Sequence, residues 1–561
     1  MPRSSEPPSP EEPPAPEGLR SLLSLDSRAA TVAYWSGVAL VALALFVPRL
    51  LPCTDYPQHL ALADVARRLL DPRAPEHFEY SVNYFTYNGL FHVLVAQLSR
   101  LLPIETAGRV VVAGGVAVLG GGVLALVRAL GRPPAYAALF TPILFSFALG
   151  WGFVNYALGS GLAVAGLAAV TLALRRPTLG RLIAVGAFAL ACAMTHVMAT
   201  LLLCLLAAAI APEVAWRAVG DRCGEPVLRR AWRASVRVVV GLAPILVGAA
   251  WCVAVYVQQY AWDPSMYKDR TLEGSSPPIW QKLAFFGAWA TGLHSDFTDQ
   301  VLLGLALLVP LVAVFFARRA RRRGEPIAPT SGAPLFVPLV ALGAAYLITP
   351  MVFIGTHLIF PRLTQGVVIG AILAAPAFPR RLAPAAQRTI LALGVLAGLN
   401  LFAHAVGYAR ETDDASRVID ETPPGRNATA VMYGSETFSF RNGTLVHLAA
   451  YYGARKHGDW AFSFGRYLSV PVRYRAEGAP PWPRLGWEFG PMDYNPRCKY
   501  ARRFDLVFVK APADLDDDAP TTESAVRTMV FHQDAAAVKL LSHHGAYWAF
   551  DTQGLPDDGT F

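Results

Sequence analysis

Two residues with useful chemistry stand four apart in the stretch LPCTDYPQHLALADVARRLL (51–70): Asp55 and His59. On a helix that spacing puts both on one face. Pro57 suits the first turn of such a helix. Asp55 then lies at the helix N-terminus, where negative charge is favourable. Two readings follow. Asp55 caps the helix that carries Leu60, Leu62, Val65 and Leu69, or it offers a carboxylate beside an imidazole, a pair suited to general acid–base work.

Other polar residues punctuate long apolar runs. The turn GWGFVNYALG (150–159) brings Trp151, Asn155 and Tyr156 to one face. Trp and Tyr there serve as interface anchors. Asn155 either bonds between helices or meets a ligand. His196 sits in AMTHVMAT (193–200), at a predicted turn between two spans. The turn GTHLIFPRLTQ (355–365) supplies His357 and Arg362. An Arg there can anchor to lipid headgroups or grip a phosphate bidentately. Lys268 and Arg270 are weaker candidates of the same kind. Asp55, His59, His92, His196 and His357 are metal-ligand types, but only Asp55 and His59 are local. No metal is specified by the spacing, and a divalent ion remains compatible with it.

These residues need elements to hold them. The chain has 561 residues, is 54% hydrophobic and only 16% charged. Average soluble proteins carry about 25% charge, so the composition is that of a bilayer-embedded chain. Apolar stretches of spanning length occur at 31–51, 106–128, 134–150, 152–174, 180–195, 197–213, 236–257, 299–317, 335–354, 361–378 and 389–409. The net charge of +9 gathers in short loops. These hold Arg128 and Arg132; Arg175, Arg176 and Arg181; Arg217, Arg222, Arg229, Arg230 and Arg233; Arg318 to Arg323; and Arg380, Arg381 and Arg388. That is a positive-inside pattern, not a nucleic-acid stripe. Placing all five in the cytoplasm puts the N-terminus inside and everything after about Tyr408 outside. Residues 87–102 carry Asn88, His92, Gln97 and Arg100, which predicts an interfacial or re-entrant helix instead of a span.

The expectation is an α-helical polytopic membrane protein of about 11 transmembrane helices. Residues 1–28 read as a disordered Pro-rich cytoplasmic tail. The transmembrane domain covers 29–409, with outer loops 52–105 and 259–298. Residues 410–561 read as a small α/β domain outside the cytoplasm, with strand patterns at 428–434, 504–510 and 546–551 and helical patterns near 444–456 and 521–541. The six Cys are scattered; Cys53 and Cys498 both fall outside, where a disulfide between them is compatible with the topology. Sequons at Asn427 and Asn442 matter only in a eukaryotic secretory pathway. Apart from His404, the span interiors hold almost no ionisable side chain. Ion-coupled transporters need such groups near the midplane, which argues against that class.

The arrangement resembles the C-type (GT-C) superfamily of membrane glycosyltransferases. The likeness lies in a first span followed at once by a long outer loop with an essential Asp, many further spans, and a C-terminal domain outside. More narrowly, the chain is similar to a group of uncharacterised bacterial membrane proteins. They share a D-x-P-x-H-L-A loop, matched by Asp55, Pro57, His59, Leu60 and Ala61. They also share a G-F-x-N-[FY]-x-x-G turn, matched by Gly152, Phe153, Asn155, Tyr156 and Gly159. Many superfamily members pair two acids in the first loop. Here Asp55 stands alone, with Asp64 nine residues on, which puts metal dependence in doubt.

The resemblance implies transfer of a sugar from a polyprenyl-phosphate-linked donor to an envelope acceptor: a glycan, lipid or protein. Asp55 and His59 would be catalytic. Arg362, His357, His196 and Asn155 would bind substrate. Partners would be the lipid-linked donor and membrane lipids, with no nucleic acid, in a multi-pass inner (plasma) membrane setting. Two other readings stand beside it: a lipid or polysaccharide translocase, and a non-enzymatic membrane scaffold.

Overall fold

Long charge-free runs become helices, and prolines and arginines decide where they stop. The computed structural model describes residues 27–220, 226–262, 276–326, 335–352, 357–467, 469–475, 486–512 and 522–555. Lys268, Arg270 and nearly all of the Pro-rich tail lie outside the described residues. The principal helices are α1 (Ser27–Ala44), α2 (Tyr56–Arg68), α3 (Gly89–Leu98), α4 (Ile104–Ala129), α5 (Val154–Arg175), α6 (Leu179–Thr195) and α7 (Val197–Val219). They continue with α8 (Val227–Leu242), α9 (Leu246–Trp262), α10 (Thr298–Arg322), α11 (Phe336–Ile348), α12 (Thr364–Ala374) and α13 (Ala383–Glu421). Among the described residues, α4, α5, α7, the joined run Val227–Gln259, α10 and α13 are long and apolar enough to cross a membrane.

Their outward faces are apolar too. On α10, Val301, Leu305, Leu308, Leu311 and Phe315 are all exposed. On α8 and α9 so are Val239, Leu246, Val253 and Val257. Water does not tolerate so continuous an apolar surface; lipid does. The chain is an α-helical polytopic membrane protein with a small C-terminal α/β region.

Several predicted spans take a different form. Residues 134–150 are not one regular helix. Pro134–Ile143 is a 3-10 helix with Pro142 inside it, followed by a one-turn helix at Phe147–Gly150. Proline removes an amide donor and clashes with the preceding turn, so the α-helical ladder cannot run through. Residues 87–102 form only the ten-residue α3. At 1.5 Å per residue it reaches about 15 Å, half a bilayer core. The predicted run 335–354 ends as helix at Ile348, where the buried Lys282 ammonium donates to the carbonyls of Leu347 (2.8 Å) and Thr349 (2.6 Å). The last helix does the opposite and continues beyond 409 to Glu421.

The helices alternate so that the Arg clusters collect at one end. Arg128 donates to Thr31 at 2.7 Å, Arg237 to the Arg175 carbonyl at 2.7 Å, and Arg381 pairs with Glu325 at 3.2 Å. Arg132 does more than mark that end. It is buried, and its guanidinium donates to the carbonyls of Ile372 (2.7 Å), Ala375 (2.9 Å) and Leu373. Those carbonyls lie at the end of α12, where Ile372 also accepts from the Ala375 amide and Leu373 from the Leu335 amide. Arg132 thus pins one end of α12, whose other end follows Arg362 by two residues.

At the opposite end the chain builds a cover. Strands β1 (Tyr80–Val82) and β3 (Val472–Tyr474) pair antiparallel, tying the loop after α1 to the C-terminal region. A four-stranded sheet has the order β2–β4–β6–β5, with β2 (Ala428–Met432), β4 (Leu506–Lys510), β5 (Lys539–His544) and β6 (Tyr547–Asp551). β2 and β4 run parallel, and the other pairs are antiparallel. α14 (Leu448–Lys456) packs between this sheet and α2. Only Glu523–Phe531 of the predicted 521–541 helix is α-helical, here α15; its end turns into β5. Cys53 is buried and Cys498 packs against a cluster with Val507, Val509 and Trp548 of the sheet; both are free thiols, so the disulfide compatible with the topology is not formed.

Truncating Arg132 to Ala removes the guanidinium from the Ala375 carbonyl and takes a second donor from the Ile372 and Leu373 carbonyls, which keep their backbone donors. The expected loss is about 1–3 kcal/mol, read as a lower melting temperature in detergent, with no direct contact to the site disturbed.

Candidate functional site

Asp55 occupies the N-cap position of α2, yet its side chain makes no capping bond. The capping reading therefore fails. Its carboxylate points instead to His447, whose Nε2 lies 3.1 Å from Oδ1. Asp55 is only 8% exposed and His447 4%.

The backbone around Asp55 is fixed from three directions. The Thr54 and Asp55 amides donate to the carbonyls of Gly150 and Trp151, both at 2.9 Å. Gly152 follows with φ +93°, a conformation that glycine adopts at little cost. A Cβ on Gly152 would collide with the backbone nitrogens of Asp55 and Tyr56. Asn442 donates to the Gly150 carbonyl at 2.6 Å, and Thr54 donates to the Asn442 carbonyl at 2.5 Å. That sequon asparagine is buried and committed to this clamp.

His447 lies between two acids. Its Nδ1 is 3.0 Å from Glu488 Oε1 and also 3.0 Å from the Gln58 amide nitrogen. Gln58 cannot reverse, because its oxygen already accepts from Trp460 Nε1 (2.6 Å) and the Phe464 amide (3.3 Å). A protonated Nδ1 therefore donates to Glu488, and an unprotonated one accepts from Gln58. Burial works against the imidazolium, but Glu488 and Asp55 outweigh it and push the His447 pKa up to about 9. Burial raises the Asp55 pKa, opposed by His447 and by Arg362. Asp55 is thus a stronger base than a solvated carboxylate.

His59 does not bond to Asp55, although both share the start of α2. Its Nδ1 lies 3.3 Å from His92 Nε2, and His92 Nδ1 lies 2.8 Å from the Asn88 carbonyl. That carbonyl can only accept, so His92 Nδ1 carries a proton. The neutral tautomer then accepts at Nε2 from His59 Nδ1–H. The chain of bonds leaves His59 Nε2 with a free lone pair. Burial holds both rings below the usual imidazole range, His92 at about 4.

Arg362 is 5% exposed and stacks on Phe153, with Cζ 3.9 Å from the ring centre. Nη1 lies 3.0 Å from His196 Nε2, and Nη2 donates to the His357 carbonyl at 3.3 Å. Nε has no partner among the described residues. His196 Nδ1 accepts from the Met198 amide at 3.0 Å as it caps α7. In the neutral ring its proton then sits on Nε2, facing another donor. Guanidinium and imidazole thus present N–H groups to each other with no acceptor between them, an arrangement that an anionic oxygen completes.

The expected residues separate accordingly. Asp55, His59, His196 and Arg362 come together electrostatically: Arg362 acts on Asp55, and His196 and His447 act on His59. His357 contributes its carbonyl, while its ring is exposed. Asn155 is buried, and its oxygen accepts from the Phe91 amide at 3.3 Å at the start of α3. Its Nδ2 has no partner among the described residues. Asp64 is committed elsewhere, to Arg67 (2.8 Å), Arg68 (3.0 Å) and His457 (3.2 Å). His447, Glu488 and Gln58 were not foreseen. Asp55 faces a cationic imidazole, so the first-loop donor set does not fit a metal ion.

No family model matches the sequence, and no curated protein matches it. Among solved structures, the chain is similar to the crystal structure of ArnT from Cupriavidus metallidurans bound to undecaprenyl phosphate. That match has a TM-score of 0.48 and 11% identity, over 96% of this chain and 98% of the other. The apo-state structure of ArnT from the same organism matches with a TM-score of 0.44 and 13% identity, over 94% and 98%. At these values the likeness transfers no residue roles and carries no argument about the reaction.

Two outcomes follow from the geometry. The folded His447 pKa lies above the ordinary value of about 6.5. Its contribution to stability is complete below that pH and disappears as pH rises through about 9. Melting temperature plotted against pH should fall across that window, and His447→Gln should flatten the fall. Gly152→Ala should lower stability by about 1–3 kcal/mol or more, measured by thermal melting against wild type.

Proposed function

We propose that the chain is a membrane glycosyltransferase that moves a sugar from a polyprenyl-phosphate-linked donor to an envelope acceptor at the outer membrane face. The observation that carries this reading is a buried base beside a buried cation with unfilled donors: Asp55 held by His447, with Arg362 and His196 across from it.

In this mechanism the acceptor hydroxyl loses its proton to the Asp55 carboxylate. Its oxygen bonds to the anomeric carbon while the bond from that carbon to the phosphate oxygen breaks. The departing polyprenyl phosphate gains negative charge, offset by the Arg362 guanidinium and the His196 N–H. The His59 Nε2 lone pair accepts from a sugar or acceptor hydroxyl and orients it. His447 keeps the Asp55 carboxylate aimed, and Glu488 keeps His447 protonated. With the five Arg clusters cytoplasmic, the N-terminus is inside and the site, under the C-terminal region, is outside. Asn155 and the His357 carbonyl support the substrate pocket without touching the reacting atoms. A translocase or a scaffold gives no use to a buried carboxylate–imidazole–carboxylate relay, which is why the transferase reading is preferred.

The test is turnover of a polyprenyl-phosphate sugar by purified, reconstituted protein. Asp55→Asn should lower the rate by about 100-fold or more, the usual contribution of a general base. Arg362→Lys should lower it by a comparable factor, because a point charge does not replace the planar fork. Unchanged turnover in the Asp55 variant would overturn the assignment.

A further inference from the structure

His404 is the ionisable residue that the apolar interior of α13 does not explain, and the structure gives it company. Its ring stacks on that of His294, with centroids 3.7 Å apart and planes inclined by 12°. Its Nε2 lies 3.2 Å from Asp296 Oδ1. One ligand atom from each of His294, Asp296 and His404 lies within 4.8 Å of the others. Among the described residues, no other set of three His, Cys, Asp or Glu side chains gathers its ligand atoms so closely.

We propose that His294, Asp296 and His404 form a divalent transition-metal site of the zinc class. Two imidazole nitrogens and one carboxylate oxygen suit zinc, cobalt or nickel and not calcium or magnesium, which prefer oxygen alone. The surrounding bonds prepare the ligands. His404 Nδ1 lies 2.9 Å from the Asn400 carbonyl, which can only accept, so Nδ1 is protonated and a neutral ring presents Nε2 as the ligand. Asp296 accepts from the Thr298 hydroxyl (2.7 Å) and amide (3.1 Å). The His294 backbone is held by the Asp299 carboxylate, which accepts from the Leu293 amide (2.7 Å) and the His294 amide (3.3 Å). Around His294 Nδ1 stand the Asn400 amide (3.1 Å) and the Thr298 hydroxyl (3.5 Å). The Asp296 side chain is 53% exposed, which leaves an entry route and room for water in the fourth position.

The site would staple two segments. His294 and Asp296 precede α10, and His404 belongs to α13. His294 also forms a bridge to Phe440, and the Arg441 amide donates to the Leu293 carbonyl at 3.0 Å. The next residue, Asn442, clamps Thr54 and Gly150 beside Asp55. A bound ion would stiffen the strap that carries the clamp.

The test uses the full chain in detergent, stripped with a chelator and titrated with Co²⁺, followed by its visible absorption and by metal analysis. Wild type should take up one ion per chain with a saturable spectrum, and Zn²⁺ should displace it and raise the melting temperature. His404→Gln and Asp296→Asn should lose the uptake, and His59→Asn should retain it. Asp296 is exposed at the surface, so its variant decides the matter if His404→Gln fails to fold. Equal uptake in wild type and Asp296→Asn, loss of uptake with His59→Asn, or no saturable uptake by wild type would each overturn the proposal. The last result would leave His404 and Asp296 as a simple side-chain contact.

Discussion

The site depends on one buried contact, between Asp55 and His447, which are 392 residues apart. A carboxylate out of water is costly unless a charge or hydrogen bond meets it. His447 meets it, and Glu488 supplies the second negative charge that keeps His447 protonated. Removing His447 would leave both acids without their shared cation. The pair therefore obliges the loop after α1 and the C-terminal region to stay in contact. The surrounding structure answers that demand. β1 pairs with β3, α14 packs on α2, and the hydroxyl of Tyr451 accepts from the Leu51 amide at 2.7 Å.

The second requirement is backbone placement. The 150–152 turn holds Asp55 by main-chain bonds, and Asn442 binds both sides of that contact. A small shift of the turn would move the carboxylate as a unit. Arg362 is placed with similar economy. Its guanidinium lies on Phe153 of the same turn, and Tyr156 donates to its carbonyl. The base and the cation are thus both referenced to residues 150–156. Their separation is set by one short piece of chain, not by the sum of many helix packings.

How much of this was legible follows from the range of each interaction. Charge-free runs and Arg clusters are local signals, so α4, α5, α7 and α10 appear near their predicted places. The 134–150 segment misled because apolar content alone does not register what Pro134 and Pro142 do to a helical ladder. Asp55, His196 and Arg362 stood out as polar residues at the ends of apolar runs, and the structure brings them together. His447 did not stand out. It lies in an ordinary amphipathic stretch, NGTLVHLAAYYG, and only the three-dimensional fold sets it against Asp55. Glu488 was hidden for the same reason. Asp64 stands nine residues beyond Asp55 and is not its paired acid. Its proximity to Arg67 and Arg68, three and four residues on, already marked it as a partner for those cations.

The length of α13 has a mechanical consequence. Its 39 residues make a rod of about 58 Å, roughly twice the bilayer core. One rigid element thus crosses the lipid and then becomes the floor on which the sheet rests, through Glu421 to Ser542 and His544. Lipid thickness sets the tilt of such a rod. Over the ~28 Å that project beyond the core, a tilt of about 5° displaces the tip by ~2 Å. That displacement is comparable to the tolerance of a hydrogen bond. The same helix that meets the lipid therefore also carries the sheet above the site, so bilayer thickness and the seat of the C-terminal region are linked through one element.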